Sequence, residues 1–218
     1  SNLDLVRGHI RQAAALGAAA LASVAGAAED GWQWPLPAFF PLPHVPEHNP
    51  MNAAKVALGR HLFYDTRLSG NGAMACASCH EQARAFTDGK TVAVGATGEA
   101  HTRNAQGLAN VAYLPTLTWA NPALVSLEQQ MLVPLFGTDP VEMGIDDGNK
   151  QVVLDRLAAE PLYQDLFARA FPQAEPRISW ERVIQAIAAF ERTLISGDSQ
   201  YDRYLRGEAE LTAQEQFG

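Results

Sequence analysis

The 218-residue sequence predicts an all-α fold with long loops and a Pro-rich N-terminal strap. Apolar side chains recur at helical spacing in several segments, whereas no run of period-two alternation is long enough to build a sheet. Six of the thirteen prolines (Pro35, Pro37, Pro41, Pro43, Pro46 and Pro50) fall within residues 31–50, a density that suits an extended strap and not a helix.

Taken in order, Arg7, His9 and Arg11 precede an uncharged run over 13–24, and Ala25-Gly26-Ala27 then supplies small residues at cleavage-site spacing. Residues 1–27 therefore read as a secretory signal peptide, with a buried Ala-rich helix as the alternative; the run is too short and too weakly apolar to span a bilayer. Residues 28–50 form the strap, anchored by Trp32 and Trp34. In the segment 51–207, Asn52 caps a helix whose apolar face is Val56, Leu58, Leu62 and Phe63. Ser126-Leu127-Glu128-Gln129 has capping-box form before a short helix expected to stop near Pro134. Val153 and Leu157 continue the helical spacing, as do Leu162 and Leu166 after a restart at Pro161. Val183, Ile187, Phe190 and Leu194 follow the cap Ser179. Residues 208–218 read as the start of a further domain, and the chain, which lacks an initiator methionine, is expected to be a fragment.

The formal charge is −8, and removal of residues 1–27 takes away Asp4, Arg7 and Arg11 and leaves −9. Such a balance disfavours nucleic acid as a partner and supplies no basic patch for anionic membranes. No other segment approaches the length of a membrane span.

The pentapeptide Cys76-Ala77-Ser78-Cys79-His80 uses the only two cysteines of the chain. This is the attachment signature of a c-type haem. Two thiols three positions apart lie on one side of a helical turn, where both reach porphyrin vinyl groups, and the next imidazole ligates the iron. A structural zinc site needs about four ligands, and there is no second cysteine pair. A thioredoxin-like dithiol wants a βαβ setting, which the periodicity does not offer. One haem c on Cys76, Cys79 and His80 is thus expected, on a cytochrome c-type haem domain with long loops.

Further motifs surround that site. Leu58-Gly59-Arg60-His61-Leu62-Phe63-Tyr64-Asp65-Thr66-Arg67-Leu68-Ser69 precedes it, and Ala85-Phe86-Thr87-Asp88-Gly89 follows. Arg103-Asn104, Trp119, Leu127-Glu128-Gln129-Gln130, Val141-Glu142-Met143-Gly144 and Ala189-Phe190-Glu191-Arg192-Thr193-Leu194 come after in that order. Together they resemble the first haem domain of the bacterial di-haem cytochrome c peroxidases and of MauG, the maturation enzyme of methylamine dehydrogenase. Trp34-Pro35-Leu36-Pro37, Asn49-Pro50-Met51 and Leu117-Thr118-Trp119-Ala120-Asn121 are most similar to the MbnH-type branch, whose members accompany copper-linked partners and oxidise a tryptophan on them.

The resemblance implies roles. His80 would be the proximal ligand, and Gln130 and Glu142 would work on peroxide at the opposite face, moving a proton between its oxygens. Trp119 matches the aromatic between two haems, the second of which would follow residue 218. Asn104 matches an asparagine that helps bind calcium between the haem domains. Conventional di-haem peroxidases carry a histidine that caps the resting iron in the loop matching residues 92–99, and this loop has none; His101 is the nearest and reads as a structural or supporting side chain. A five-coordinate resting haem is implied. Arg60, Arg67 and Arg84 are candidates for haem propionates or for surface salt bridges. His44, His48 and His61 read as solvated or hydrogen-bonded.

Three functions compete at this point. The first is a periplasmic di-haem oxidoreductase that uses hydrogen peroxide to oxidise a protein partner. The second reduces hydrogen peroxide to water with electrons from an electron-donor cytochrome. The third is a mono-haem electron carrier, with Met74, Met131 or Met143 available as sixth ligand.

Overall fold

The computed structural model describes residues 32–37, 39–118 and 121–218. The expected signal peptide lies outside the described residues, as does Trp119. By its contacts the chain divides into residues 1–33 and 34–218. Of the first unit only Trp32 and Gln33 are described, and they have no regular secondary structure.

The second unit is helical; among the described residues there is no strand, only two isolated bridges, Glu81 with Thr87 and Val94 with Ala100. Its α-helices are α1 (Ala53–Tyr64), α2 (Leu127–Gln130), α3 (Leu132–Phe136), α4 (Lys150–Ala158), α5 (Pro161–Ala170), α6 (Trp180–Glu191), α7 (Gln200–Leu205) and α8 (Ala213–Phe217). Short 3-10 turns occupy Thr66–Leu68, Cys76–Ser78, Gln82–Arg84 and Val111–Tyr113. No helix among the described residues is long and apolar enough to cross a membrane.

Caps fix the helix starts. The Asn52 side chain accepts from Lys55 N at 2.7 Å, Ser126 from Gln129 N at 3.2 Å and Ser179 from Arg182 N at 3.4 Å. Three local expectations are corrected. The chain stays helical through Pro134 to Phe136, because Pro134 sits in the first turn of α3, where an N–H has no intrahelical partner. Leu162 is exposed, and the buried face of α5 is Tyr163, Leu166, Phe167 and Ala170. Leu194 lies beyond the end of α6 at Glu191, although it still packs against the core.

The core is the junction of α1, α5 and α6: Leu58, Leu62, Phe63, Phe167, Val183 and Ile187 are sealed from solvent. The α1–α6 crossing is close enough that a Cβ on Gly59 would stand 1.9 Å from the Ala186 carbonyl oxygen. Here glycine is required by backbone approach, not by dihedral freedom. A buried polar network adds to this junction. Arg192 donates to both carboxylate oxygens of Glu128 at 2.6 Å, Asn49 of the strap donates to Glu128 at 2.6 Å, and Lys55 of α1 donates to Asn49 at 2.9 Å. Asn49 also donates to the Gln185 carbonyl at 2.9 Å, so strap, α1, α2 and α6 share one set of hydrogen bonds.

Residues 34–37 have no regular secondary structure, and Tyr113 donates to the Pro41 carbonyl at 2.9 Å to hold the following stretch.

Candidate functional site

One cavity of about 770 Å³ opens beside the core. Its wall includes Cys76, Cys79, His80, Asn104, Gln130 and Glu142, so six of the seven residues singled out in the sequence face a common space. Trp119, the seventh, lies outside the described residues. A volume of this size is within the range of cofactor sites.

Local chain geometry builds the first edge. Cys79 N and His80 N both donate to the Cys76 carbonyl, at 3.2 and 3.0 Å, and Ala75 N donates to the Ser78 hydroxyl at 3.0 Å. The turn therefore presents both sulfurs and the imidazole together. His80 Nδ1 lies 2.7 Å from the Phe86 carbonyl oxygen. A carbonyl only accepts, so Nδ1 carries the proton and Nε2 keeps its lone pair for a metal. Ala85 and Phe86 hold the left-handed region with φ of 55° and 63°, strained for non-glycine residues at about 1–3 kcal/mol each, and that turn aims the Phe86 carbonyl at the ring. Burial pushes the His80 pKa below its ordinary value, outweighing the Phe86 and Gln106 backbone and Asp88, a shift that favours the neutral, ligating form.

Both cysteines are free thiols. Burial pushes both pKa values up, and Glu191 adds to the shift at Cys76 as Asp88 does at Cys79. A thiolate nucleophile or zinc ligand wants the reverse, an electropositive surrounding. Among the described residues no group of three or more His, Cys, Asp or Glu is placed to hold a metal ion. Two neutral thiols and one neutral imidazole on the edge of a large apolar slot fit a covalently attached haem.

Gln130 and Glu142 line the same cavity. Gln130 ends α2, with its N–H on the Ser126 carbonyl at 3.0 Å. Glu142 is fixed through its backbone: Ala96 N donates to the Glu142 carbonyl at 2.7 Å, while Met143 N donates to the Pro134 carbonyl at 3.0 Å. His101 Nε2 lies 3.2 Å from the Val141 carbonyl and donates to it, so the loop that lacks the capping histidine is clasped to the Glu142 segment. A Cβ on Gly95 would come within 1.8 Å of that same Val141 oxygen, which leaves glycine the one residue that fits the clasp. Burial raises the Glu142 pKa, and His101 opposes the shift.

For the arginine candidates, Arg67 and Arg84 take the salt-bridge alternative. Arg67 pairs with Asp65 at 2.8 Å and Glu160 at 2.7 Å, Arg84 with Glu81 at 2.9 Å, and Arg60 borders an open hollow elsewhere; none lines the cavity. Arg103 does. Asp139, Glu191 and Arg103 are wall residues that sequence reasoning did not single out as functional. A glutamate closing the otherwise apolar run Ala186-Ile187-Ala188-Ala189-Phe190 is the sequence signal that could have found Glu191. His44, His48 and His61 are solvent-exposed.

Fold and site together define a c-type haem domain. The comparisons give its relatives: residues 53–210 match the di-haem cytochrome c peroxidase family, and the chain belongs to that family. It is 39% identical over 167 residues to the methylamine utilization protein MauG of Methylorubrum extorquens, covering 77% of this chain and 45% of that protein. With the cytochrome-c peroxidase IdrP1 of Denitromonas iodatirespirans it shares 37% identity over 216 residues, covering 97% and 55%. Among solved structures, a MauG-like protein associated with microbial copper homeostasis is similar at 55% identity and a TM-score of 0.82, over 85% of this chain and 53% of that one. That likeness bears out the MauG-like resemblance read in the motifs. The chain spans about half the length of these curated relatives.

Proposed function

We propose that this chain is the peroxide-reacting haem domain of a periplasmic di-haem oxidoreductase that uses hydrogen peroxide to oxidise a protein partner. The observation that supports it best is the convergence of Cys76, Cys79 and His80 with Gln130 and Glu142 on one cavity. Cys76 and Cys79 would hold the haem by thioethers and His80 Nε2 would ligate its iron, the ring kept in register by the Phe86 carbonyl. When bound, the haem supplies the redox chemistry.

The side chains of this domain handle protons and orientation. Glu142 takes the proton from one peroxide oxygen and returns it to the other, so that the leaving oxygen departs as water. Burial against the opposing influence of His101 brings its pKa up toward the range where both transfers are feasible. The Gln130 amide orients the peroxide. Met131 and Leu135, both buried, keep part of the wall dry. Trp119 would carry oxidising equivalents toward a second haem and Asn104 would contribute to a calcium site; both roles rest on the family resemblance. The partner would be a copper-linked protein bearing a reactive tryptophan, a reading drawn from the MbnH-type motifs and the copper association of the structural neighbour.

The test mixes full-length, haem-loaded protein with hydrogen peroxide in the presence of either the purified copper-linked partner or a reduced small cytochrome. Mass spectrometry of the partner should show oxidised tryptophan. Rapid oxidation of the cytochrome with an unmodified partner would instead establish the peroxide-reducing alternative.

A further inference from the structure

Glu191, the last residue of α6, is 5% exposed and lines the haem cavity. No hydrogen bond reaches its carboxyl among the described residues. The cation that acts on it is its neighbour Arg192, whose Nη2 donates to both oxygens of Glu128 at 2.6 Å. Two glutamates thus face one arginine, and Glu128 holds it. Burial pushes the Glu191 carboxyl up to about 8; Arg192 opposes that shift and Glu128 adds to it. Cys76, across the cavity edge, is itself a neutral thiol. From α1, packed on α6, the buried cation Lys55 is held by Asn49 at 2.9 Å and by the Pro50 carbonyl at 2.6 Å. Besides Cys79 and His80, the remaining ionisable groups of the wall, His101, Arg103, Asp139 and Glu142, stand on loops between residues 93 and 142.

We propose that Glu191 is the proton-holding group of the cavity: a neutral carboxylic acid while the haem is ferrous, which releases its proton as the haem becomes ferric. The proposal rests on the reading of Cys76, Cys79 and His80 as a covalent haem site. Oxidation removes one electron, taken by the electrode in the test, and adds one positive charge to the cavity. The Glu191 O–H bond then breaks, its electron pair stays on the carboxylate, and the proton passes to water at the cavity mouth, so that the local charge is unchanged. Reduction reverses both transfers. A unit charge about 10 Å away, at an effective dielectric of about 20, alters an acid's ionisation constant by more than about tenfold, enough to couple the two events.

The test uses full-length haem-loaded protein, with haem staining after denaturing electrophoresis run first. An unstained chain would mean that the haem reading has failed, and the proposal with it. On a stained chain, spectroelectrochemical titration across neutral and mildly alkaline pH should show the reduction equilibrium constant of this haem falling about tenfold per pH unit over the window bounded by the two ionisation constants of Glu191. The same dependence should be absent in Glu191→Gln, whose amide keeps the shape of the neutral acid. Reduced-minus-oxidised infrared spectra should show the carbonyl stretch of a protonated carboxyl in the reduced wild type, shifted in deuterium oxide and missing from the variant. If Glu191→Gln fails to take haem, Glu191→Asp serves instead, and the band should move. Equal pH dependence in wild type and Glu191→Gln, or no redox-linked carboxyl band in the wild type, would overturn the proposal.

Discussion

At His80 a single hydrogen bond decides what the ring can do: Nδ1–H is committed to the Phe86 carbonyl, and only Nε2 is left to meet a metal. The sequence shows the ligand, because a histidine after a Cys-x-x-Cys pair is a short local pattern. It does not show the carbonyl that orients it, since nothing about Ala85 and Phe86 as residue types announces a left-handed turn. Glu191 is similar: its helix was legible, but that its carboxyl has no hydrogen bond among the described residues depends on Arg192 turning to Glu128, a contact 64 positions distant in sequence. The thiols are the most direct residue-scale test of the cofactor. Wild-type protein made in a secreting host with cytochrome c maturation should keep haem colour through denaturing electrophoresis, and Cys79→Ala should lose most of it. Colour that extracts into acidic organic solvent from the wild type would rule out the thioether reading.

Between helices, the errors and successes of the sequence reading have separate causes. Periodicity located α1, α4, α5 and α6, because burial of one face is what forms them. It misassigned Leu162, which shares the spacing but falls on the outer side of α5, and it ran α2 and α3 together and stopped them near Pro134, which is a first-turn residue of α3. The capping-box form of Ser126 hid a different use: Glu128, one residue before Gln129, joins Arg192 and leaves water. Burial alone would raise the Glu128 pKa, yet the Arg192 hydrogen bonds and charge, with Asn49, hold it below the ordinary value. A depressed carboxylate contributes its stability in full above the unfolded value of 4.5 and loses it as pH falls through the folded value. Glu128→Gln should therefore cost about 3–5 kcal/mol at neutral pH, because the Arg192 charge is left buried. It should also flatten the acid limb of the stability curve in urea titrations; an unchanged midpoint at both neutral and acid pH would contradict this role.

Across the whole molecule, the family motifs are scattered over more than a hundred residues, and only folding shows that they meet. Cys76, Asn104, Gln130 and Glu142 come from a 3-10 turn, a loop, a helix end and a bend, and no local rule joins them. The clasp, His101 and Gly95 on Val141, holds in place a loop whose residues 92–99 include no histidine. A ferric haem here should accordingly give a high-spin electron paramagnetic resonance signal. A wholly low-spin, bis-histidine spectrum for this domain would place the protein with the conventional peroxidases.

The account turns on Glu142 working as the proton carrier of a peroxide-reacting cavity, and rapid mixing of the full-length, haem-loaded protein with hydrogen peroxide tests it directly. Glu142→Gln should slow the first spectral change by about 10²-fold or more, with haem content and the resting spectrum matching the wild type. A wild-type rate in Glu142→Gln would contradict the account.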